Sequence, residues 1–451
     1  MSISDITLTF VKCISLIVFP VSVFIAGYRL YLHPLRAYPG PLLARVSDIY
    51  TGFYALTRRL HLITYDDLNK YGPVLRHGPN THIQFTEGPA RVTKSHIYEL
   101  TISSGKPTSR SKIDPRPVDM TNLTKRLGAD IVGHLAFGYA LNMQTDPKYR
   151  FVLQGLAVGQ YQNNSFMQFP MLKKLDLHNL TLILGYSARV RYKAMMQTMI
   201  NSRLAQEKHA KNDLYSFVVD HLDQDGKDSV KTSGDTTTTA MSALFFYLAH
   251  YRDVYNKLAM EIRQKFDDEP EIRNGPQLAS CRYLRACIDE ALRISPPVGG
   301  TLWRELSSDE LGLDTGPLIV DGHVIPPGIQ VGVSTYALHH NDEYFDDPFI
   351  FCPERWLTEN RDALDRMSSA FNPFSSGARG CAGKAMAYLE ASLVIAKTIW
   401  RFDFMLAPGK GQVGVVSERG RRTDSPVQFQ LFDTFGSQHV GPNLVFHQRS
   451  L

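Results

Sequence analysis

Ten residues near the C-terminal end, Phe374-Ser-Ser-Gly-Ala-Arg-Gly-Cys-Ala-Gly383, place three glycines around one cysteine and open directly into an apolar-periodic segment. Met386, Leu389, Leu393, Ala396 and Trp400 recur at three- and four-residue spacing with no Gly or Pro before Pro408, which predicts a helix from Lys384. Gly377, Gly380 and Gly383 carry no Cβ, so the backbone can approach a flat ligand closely. Arg379 stands two residues before Cys381 and the helix N-terminus just after it, and both favour an ionised sulfur. Such a thiolate can serve as a nucleophile, a zinc ligand or a haem ligand. Zinc is disfavoured because no second Cys or His stands within ligand spacing. The competing reading is a buried structural cysteine beside a turn.

Upstream, Leu284, Ile288, Ala291 and Leu292 mark a helix that Pro296 and Pro297 end, since Ser295 before a proline is driven out of the helical region. Glu290 and Arg293 lie one turn apart on it and share a face. Taken alone, that pair reads as a surface salt bridge contributing under about 1 kcal/mol.

With these residues in view, the chain resembles the cytochrome P-450 family. Phe374, Gly377, Arg379, Cys381 and Gly383 match the five fixed positions of its haem-binding signature, and Glu290-Ala-Leu-Arg293 and Phe351-Cys-Pro-Glu-Arg-Trp356 stand in the family's order. It is similar to fungal microsomal members. The resemblance implies a membrane-anchored haem-thiolate monooxygenase that inserts one oxygen atom into a lipophilic small molecule of secondary metabolism. Heme b is the implied cofactor, with Cys381 as the metal ligand and Phe374, Gly377, Arg379, Gly383 and Arg304 as cofactor-binding residues. Arg304, in Thr301-Leu-Trp-Arg-Glu305, is similar in position to the family's strand arginine for a haem propionate; the bland reading is an exposed strand arginine. Glu290, Arg293 and Arg355 are implied to form a buried ionic network behind the haem. Electrons are implied to come from NADPH through a reductase partner.

Thr232-Ser-Gly-Asp-Thr-Thr237 precedes the apolar run 240–249, and Asp235 and Thr236 match the family's acid and alcohol, the implied catalytic proton relay. Thr232 and Ser233 replace the Ala-Gly that is usual there. An acid ahead of an apolar-periodic segment is also an ordinary helix N-cap.

At the other end, Ile6 to Tyr28 is apolar except for Lys12 and a few hydroxyls, long enough to span a bilayer. Arg29, His33 and Arg36 follow it, so the positive-inside rule places the bulk of the chain on the cytoplasmic side of what the resemblance makes the endoplasmic reticulum membrane. The expected layout is an anchor over 1–30, a proline-rich hinge over 31–41 around Tyr38-Pro-Gly-Pro41, and one haem-binding catalytic domain over 42–451. The five cysteines are odd in number and unpatterned, as in a reducing compartment. The net charge of +5 does not imply nucleic acid and fits a mild basic patch for an acidic electron donor, or simply a solvated face.

The expected fold is mainly α with small β-sheets. A helix is read over Leu62 to Tyr71. Strands are read at Tyr71 to Arg76, Thr81 to Phe85, Leu318 to Val324, Gln330 to Val333, Phe429 to Phe432 and Leu444 to Phe446, with helices dominating from Val118 to Gly299. Two intervals depart from the family pattern. Ser103 to Pro117 is too short and polar for the helix whose Trp or His clamps a propionate, and the tryptophans lie elsewhere, at Trp303, Trp356 and Trp400. Residues 223–234 have loop-like composition where a long central helix belongs. These departures leave two alternatives open: a noncatalytic product with internal deletions, and a haem-thiolate isomerase or dehydratase that needs the cysteine but no relay.

Overall fold

The computed structural model describes residues 16, 18–79, 82–85, 117–174, 185–206, 235–305, 318–320, 322–326, 328–408 and 427–449. The chain divides into two compact units, one made of Met1–Glu87, Ser165–Leu177 and Gly300–Ala337, the other of Gly88–Asn164, His178–Gly299 and Leu338–Leu451.

In the first unit, residues 18–27 are helical and widen into a π-turn at Tyr28–Leu32. Residues 1–15 and 17 of the expected anchor lie outside the described residues. Among those described, no helix is long and apolar enough to cross a membrane. Three helices follow the hinge: α1 (Leu42–Val46), α2 (Ile49–Leu56) and α3 (Leu60–Tyr71). α3 starts two residues earlier than its periodicity suggests. The hinge is seated by Arg76, which is fully buried. Its Nη1 donates to the carbonyls of Arg29 at 3.0 Å and Leu35 at 3.4 Å, and its backbone N–H to that of Pro39 at 2.7 Å. Gly40, at φ +156°, passes so close that a Cβ there would lie 2.5 Å from the Arg76 carbonyl oxygen.

Val74–Arg76 opens a four-stranded sheet ordered Val74–Arg76, His82–Phe85, Gln330–Val333, Arg304–Glu305. Its His82–Phe85 and Gln330–Val333 strands are parallel and its other pairs antiparallel. The expected single strand from Leu318 to Val324 is instead a hairpin, Leu318–Val320 with His323–Ile325, because Gly322 at φ +71° turns the chain. Leu35, Ile325 and Ile329 form a small core there.

The second unit is built of helices: α4 (Met120–Phe137), α5 (Phe151–Gln168, of which the last four residues count with the first unit), α6 (Tyr186–Leu204), α7 (Asp235–His250), α8 (Arg252–Lys265), α9 (Arg282–Ile294), α10 (Arg361–Ala370) and α11 (Lys384–Arg401). α4 is bracketed by local chemistry: Asp119 caps it by accepting from the Thr121 N–H at 2.9 Å, and Gly138 ends it in the left-handed region. α7 is the centre of the core. It is buried from Thr238 through Ala249, with Phe245 edge-on to Phe404 and Tyr247 stacked on Phe351 at 4.6 Å. A helix apolar on every side must be surrounded, and residues of α8, α9 and α11 complete the cluster.

α9 ends at Ile294 with Ser295 out of the helical region at φ −133°, ψ 65°, as expected ahead of the prolines, and α11 begins at Lys384 as its spacing predicts. A three-stranded antiparallel sheet (Val118–Asp119, Asn443–Gln448, Phe402–Leu406) and a hairpin (Leu431–Phe432, Gln438–His439) complete this unit. The mainly helical fold with small sheets thus agrees with the expectation. The intervals 103–116 and 223–234 lie outside the described residues.

Candidate active site

Cys381 sits on a loop that local backbone chemistry shapes. Ser375 and Gly377 take positive φ, +57° and +69°, and Gly377 leads the short turn Gly377–Arg379. The Cys381 N–H donates back to the Phe374 carbonyl at 2.8 Å, closing the loop, and Gly383 is the cap residue of α11. The thiol is free and exposed. A Cβ at Gly383 would lie 3.7 Å from its Sγ, so the glycine leaves that side of the sulfur bare. The Phe374 ring anchors the loop on α11 against Tyr388 at 5.2 Å, with Lys384 Nζ 5.9 Å from its centroid. Arg379 is exposed.

The donor set decides what this loop can hold. Among the described residues, no three His, Cys, Asp or Glu side chains gather to ligate a metal ion. A bare ion would be under-coordinated at Cys381. A metal that arrives already held by four ring nitrogens needs only one further donor, which a thiolate supplies. Haem therefore fits the residues present.

The loop is braced by a buried ionic network. Glu290 and Arg293 are fully buried and meet in a fork, Nε to Oε2 at 3.0 Å and Nη2 to Oε1 at 2.8 Å. Arg355 donates to Glu290 Oε1 at 3.1 Å, the Trp356 indole to Oε2 at 2.9 Å and the Cys352 N–H to Oε1 at 3.0 Å. Burial pushes the Glu290 carboxyl up, but the two guanidiniums and these donors hold it below the ordinary range, so it stays ionised. Arg293 spends its remaining donors on the carbonyls of His339, Pro348 and Ile350. His339 Nε2 then accepts from the Asn372 N–H at 3.0 Å, two residues before Phe374. The expected buried network of Glu290, Arg293 and Arg355 is present and reaches the cysteine loop through His339.

Asp235 is the first residue of α7 and is 7% exposed. Its carboxylate is approached by side chains: Thr238 Oγ1 at 3.5 Å, Gln438 Nε2 at 3.4 Å and the Gln160 amide. Burial raises its pKa; Lys125 and these three donors oppose that rise. Thr236, the expected alcohol, is half-buried one residue on, and it is Thr238 that touches the acid. Arg304 lies in the first unit, exposed, with Nη1 on its neighbour's carbonyl at 2.9 Å, whereas Cys381 and Asp235 lie in the second.

Thr238 was legible in principle from its three-residue spacing to Asp235. Lys125, Gln160 and Gln438 were not, since nothing local marks them. Beside this cluster a cavity of about 60 Å³ is lined by α4, α5 and α6 residues such as Val132, Leu156, Tyr192 and Met196, with Lys125, Asp235 and Thr238 at its polar end.

The cytochrome P450 family model matches residues 77–419. The chain is 30% identical to cytochrome P450 monooxygenase AKT7 of Alternaria alternata, over 93% of this chain and 94% of that one. It is 30% identical to poxM of Penicillium oxalicum over 85% and 86%, and 29% identical to apf7 of Gibberella fujikuroi over 96% and 97%, both also cytochrome P450 monooxygenases. The match takes in the Glu290–Arg355 network and the Cys381 loop alike, and the chain belongs to the cytochrome P450 family of haem-dependent oxidoreductases.

Proposed function

We propose that this chain is a monooxygenase that inserts one oxygen atom into a lipophilic small molecule of secondary metabolism, with Cys381 as the thiolate ligand of the haem iron. The observation that carries the reading is a free, exposed thiol on a glycine-lined loop, braced through His339 by the buried Glu290, Arg293 and Arg355. Family members use haem with cysteine-thiolate ligation and electrons from NADPH delivered by a reductase. When bound, the haem supplies dioxygen activation: one oxygen atom enters a C–H bond of the substrate, and the other leaves as water with two electrons and two protons.

The chain's own residues hold and protect that chemistry. Cys381 Sγ holds the iron, and Gly377 and Gly383 keep side chains away from the ring. Phe374 fixes the loop on α11, and Arg379 is assigned to a propionate. Asp235 and Thr236 are assigned to proton transfer, with the Asp235 carboxyl as the group that holds or releases the proton. The layout we infer is an anchor over 1–30, a hinge over 31–41 and a catalytic domain over 42–451 facing the cytoplasm from the endoplasmic reticulum membrane. Support comes from the exposed apolar residues of the N-terminal segment, among them Phe19, Phe24, Leu32 and Leu43, with Arg29, Arg36 and Arg45 close in sequence. Internal shortening is supported by the AKT7 comparison, which runs over 501 residues although the whole chain has 451.

The test is the reduced, carbon monoxide difference spectrum of the full chain in microsomal membranes, beside that of Cys381→Ala. A thiolate-type band present in the parent and absent in the variant is the expected result. No such band in the parent would overturn the assignment and favour a noncatalytic product.

A further inference from the structure

Gln438 belongs to the C-terminal hairpin, a part of the chain to which no role has been given, yet its side chain is fixed from two sides. Its Oε1 accepts from Lys125 Nζ of α4 at 2.7 Å. An amide that turns its carbonyl to an ammonium must turn its NH₂ the other way. That NH₂ donates to Gln160 Oε1 of α5 at 3.1 Å and reaches Asp235 Oδ2 at 3.4 Å. Because the Gln160 carbonyl is thereby engaged, its own NH₂ is the half that hydrogen-bonds Asp235. The single charge on Lys125 thus sets the direction of both amides, and both present N–H donors to one carboxylate.

We propose that Gln438, oriented by Lys125, is a positioning residue that holds the Asp235 carboxylate for proton transfer. The inference rests on the reading of Asp235 as the proton-relay acid. Asp235 starts α7, where it has lost most of its water, and a carboxylate so buried is kept ionisable by donors aimed at it. Rotation of the Gln438 amide would set its NH₂ against the Lys125 ammonium, so the donor toward Asp235 cannot be withdrawn cheaply. The hairpin is tied to α7 a second time one turn further on, where Thr239 Oγ1 lies 3.1 Å from the Ser437 carbonyl oxygen and 3.3 Å from His439 Nδ1. Among the described residues, Lys125 is the charged group facing Asp235. The hairpin adds His439, kept neutral by burial, and α6 brings Tyr192 to the adjoining cavity.

The test uses the haem-loaded full chain with Asp235→Asn, Gln438→Leu, Lys125→Met and Lys125→Arg, each first checked for the parent's carbon monoxide spectrum. The infrared carboxyl C=O band that disappears in Asp235→Asn reports protonation of Asp235 directly, without turnover. Its titration midpoint is expected to move up by about one pH unit in Gln438→Leu and in Lys125→Met and to return in Lys125→Arg. With reductase and NADPH, hydrogen peroxide released per NADPH is expected to rise severalfold in the two shifted variants. An unmoved midpoint in Lys125→Met, or in a folded Gln438→Leu, overturns the positioning role. A peroxide ratio unchanged in Asp235→Asn overturns the relay reading instead, and the infrared result then still judges whether Gln438 and Lys125 hold the carboxylate.

Discussion

Arg293 and His339 hold each other reciprocally: Arg293 Nη1 donates to the His339 carbonyl at 2.8 Å, and His339 Nδ1 lies 3.1 Å from the Arg293 carbonyl. With Nε2 already accepting from Asn372, the imidazole must be the neutral Nδ1–H tautomer. The pair joins the ionic network to the cysteine loop, and two of the predictions below follow from it.

Arg293→Lys keeps the charge but loses the planar fork that serves Glu290 and three carbonyls at once. The buried carboxylate and carbonyl oxygens left without a donor cost about 1–3 kcal/mol each. Urea unfolding is expected to show a lowered midpoint at unchanged m-value, with reduced haem loading. A midpoint within error of the parent would contradict the bracing role.

His339 also sets a pH dependence. Burial, and then the Arg293 charge, depress its pKa from 6.5 to about 3. As pH falls below 6.5 the unfolded chain takes up a proton that the folded chain refuses, so stability falls between pH 6.5 and about 3. The slope is up to about 1.4 kcal/mol per pH unit for one such group. His439, depressed to about 3 by burial, acts in the same direction. His339→Asn is expected to be less stable at neutral pH but to show a shallower loss across this window in pH-dependent urea titrations.

Glu390 of α11 acts in the opposite direction. It is buried, its Oε1 has no partner among the described residues, and burial raises its pKa from 4.5 to about 7. The unfolded carboxyl ionises above about pH 4.5 while the folded one keeps its proton, so stability falls as pH rises from 4.5 to 7. Glu390→Gln removes that slope and is expected to raise stability at pH 7.5 by about 1–2 kcal/mol. Parallel melting temperatures for parent and variant from pH 5 to 8 would refute it.

Gly377→Ala isolates the loop backbone. A Cβ there meets nothing within 4 Å, so the cost is the positive φ alone, about 1–2 kcal/mol, carried by the turn ahead of Cys381. The free energy of urea unfolding is expected to fall by at most about 1–2 kcal/mol. Haem retention during dialysis, read from the Soret absorbance, is expected to fall, because the strain is relieved by moving the cysteine.

Short-range order in this chain was written in its sequence. The spacing from Met386 to Trp400, the prolines after Ser295 and the glycines around Cys381 act within a few residues of themselves, and the structure keeps α11, the end of α9 and the cysteine loop where those signals put them. The three-residue offset of Glu290 and Arg293 likewise put them on one face, though it could not say whether that face was wet or dry. Burial and long-range partners were left to tertiary structure. Arg355 reaches Glu290 from 65 positions away, Gln438 reaches Asp235 from 203 and Lys125 reaches Gln438 from 313. Polar groups driven into a core by the helices that carry them must find partners wherever the fold supplies them, and hydrophobic periodicity carries no record of which ones those are. Hence the cysteine could be found by reading along the chain, while the surroundings of Asp235 emerged only once four distant segments were folded together.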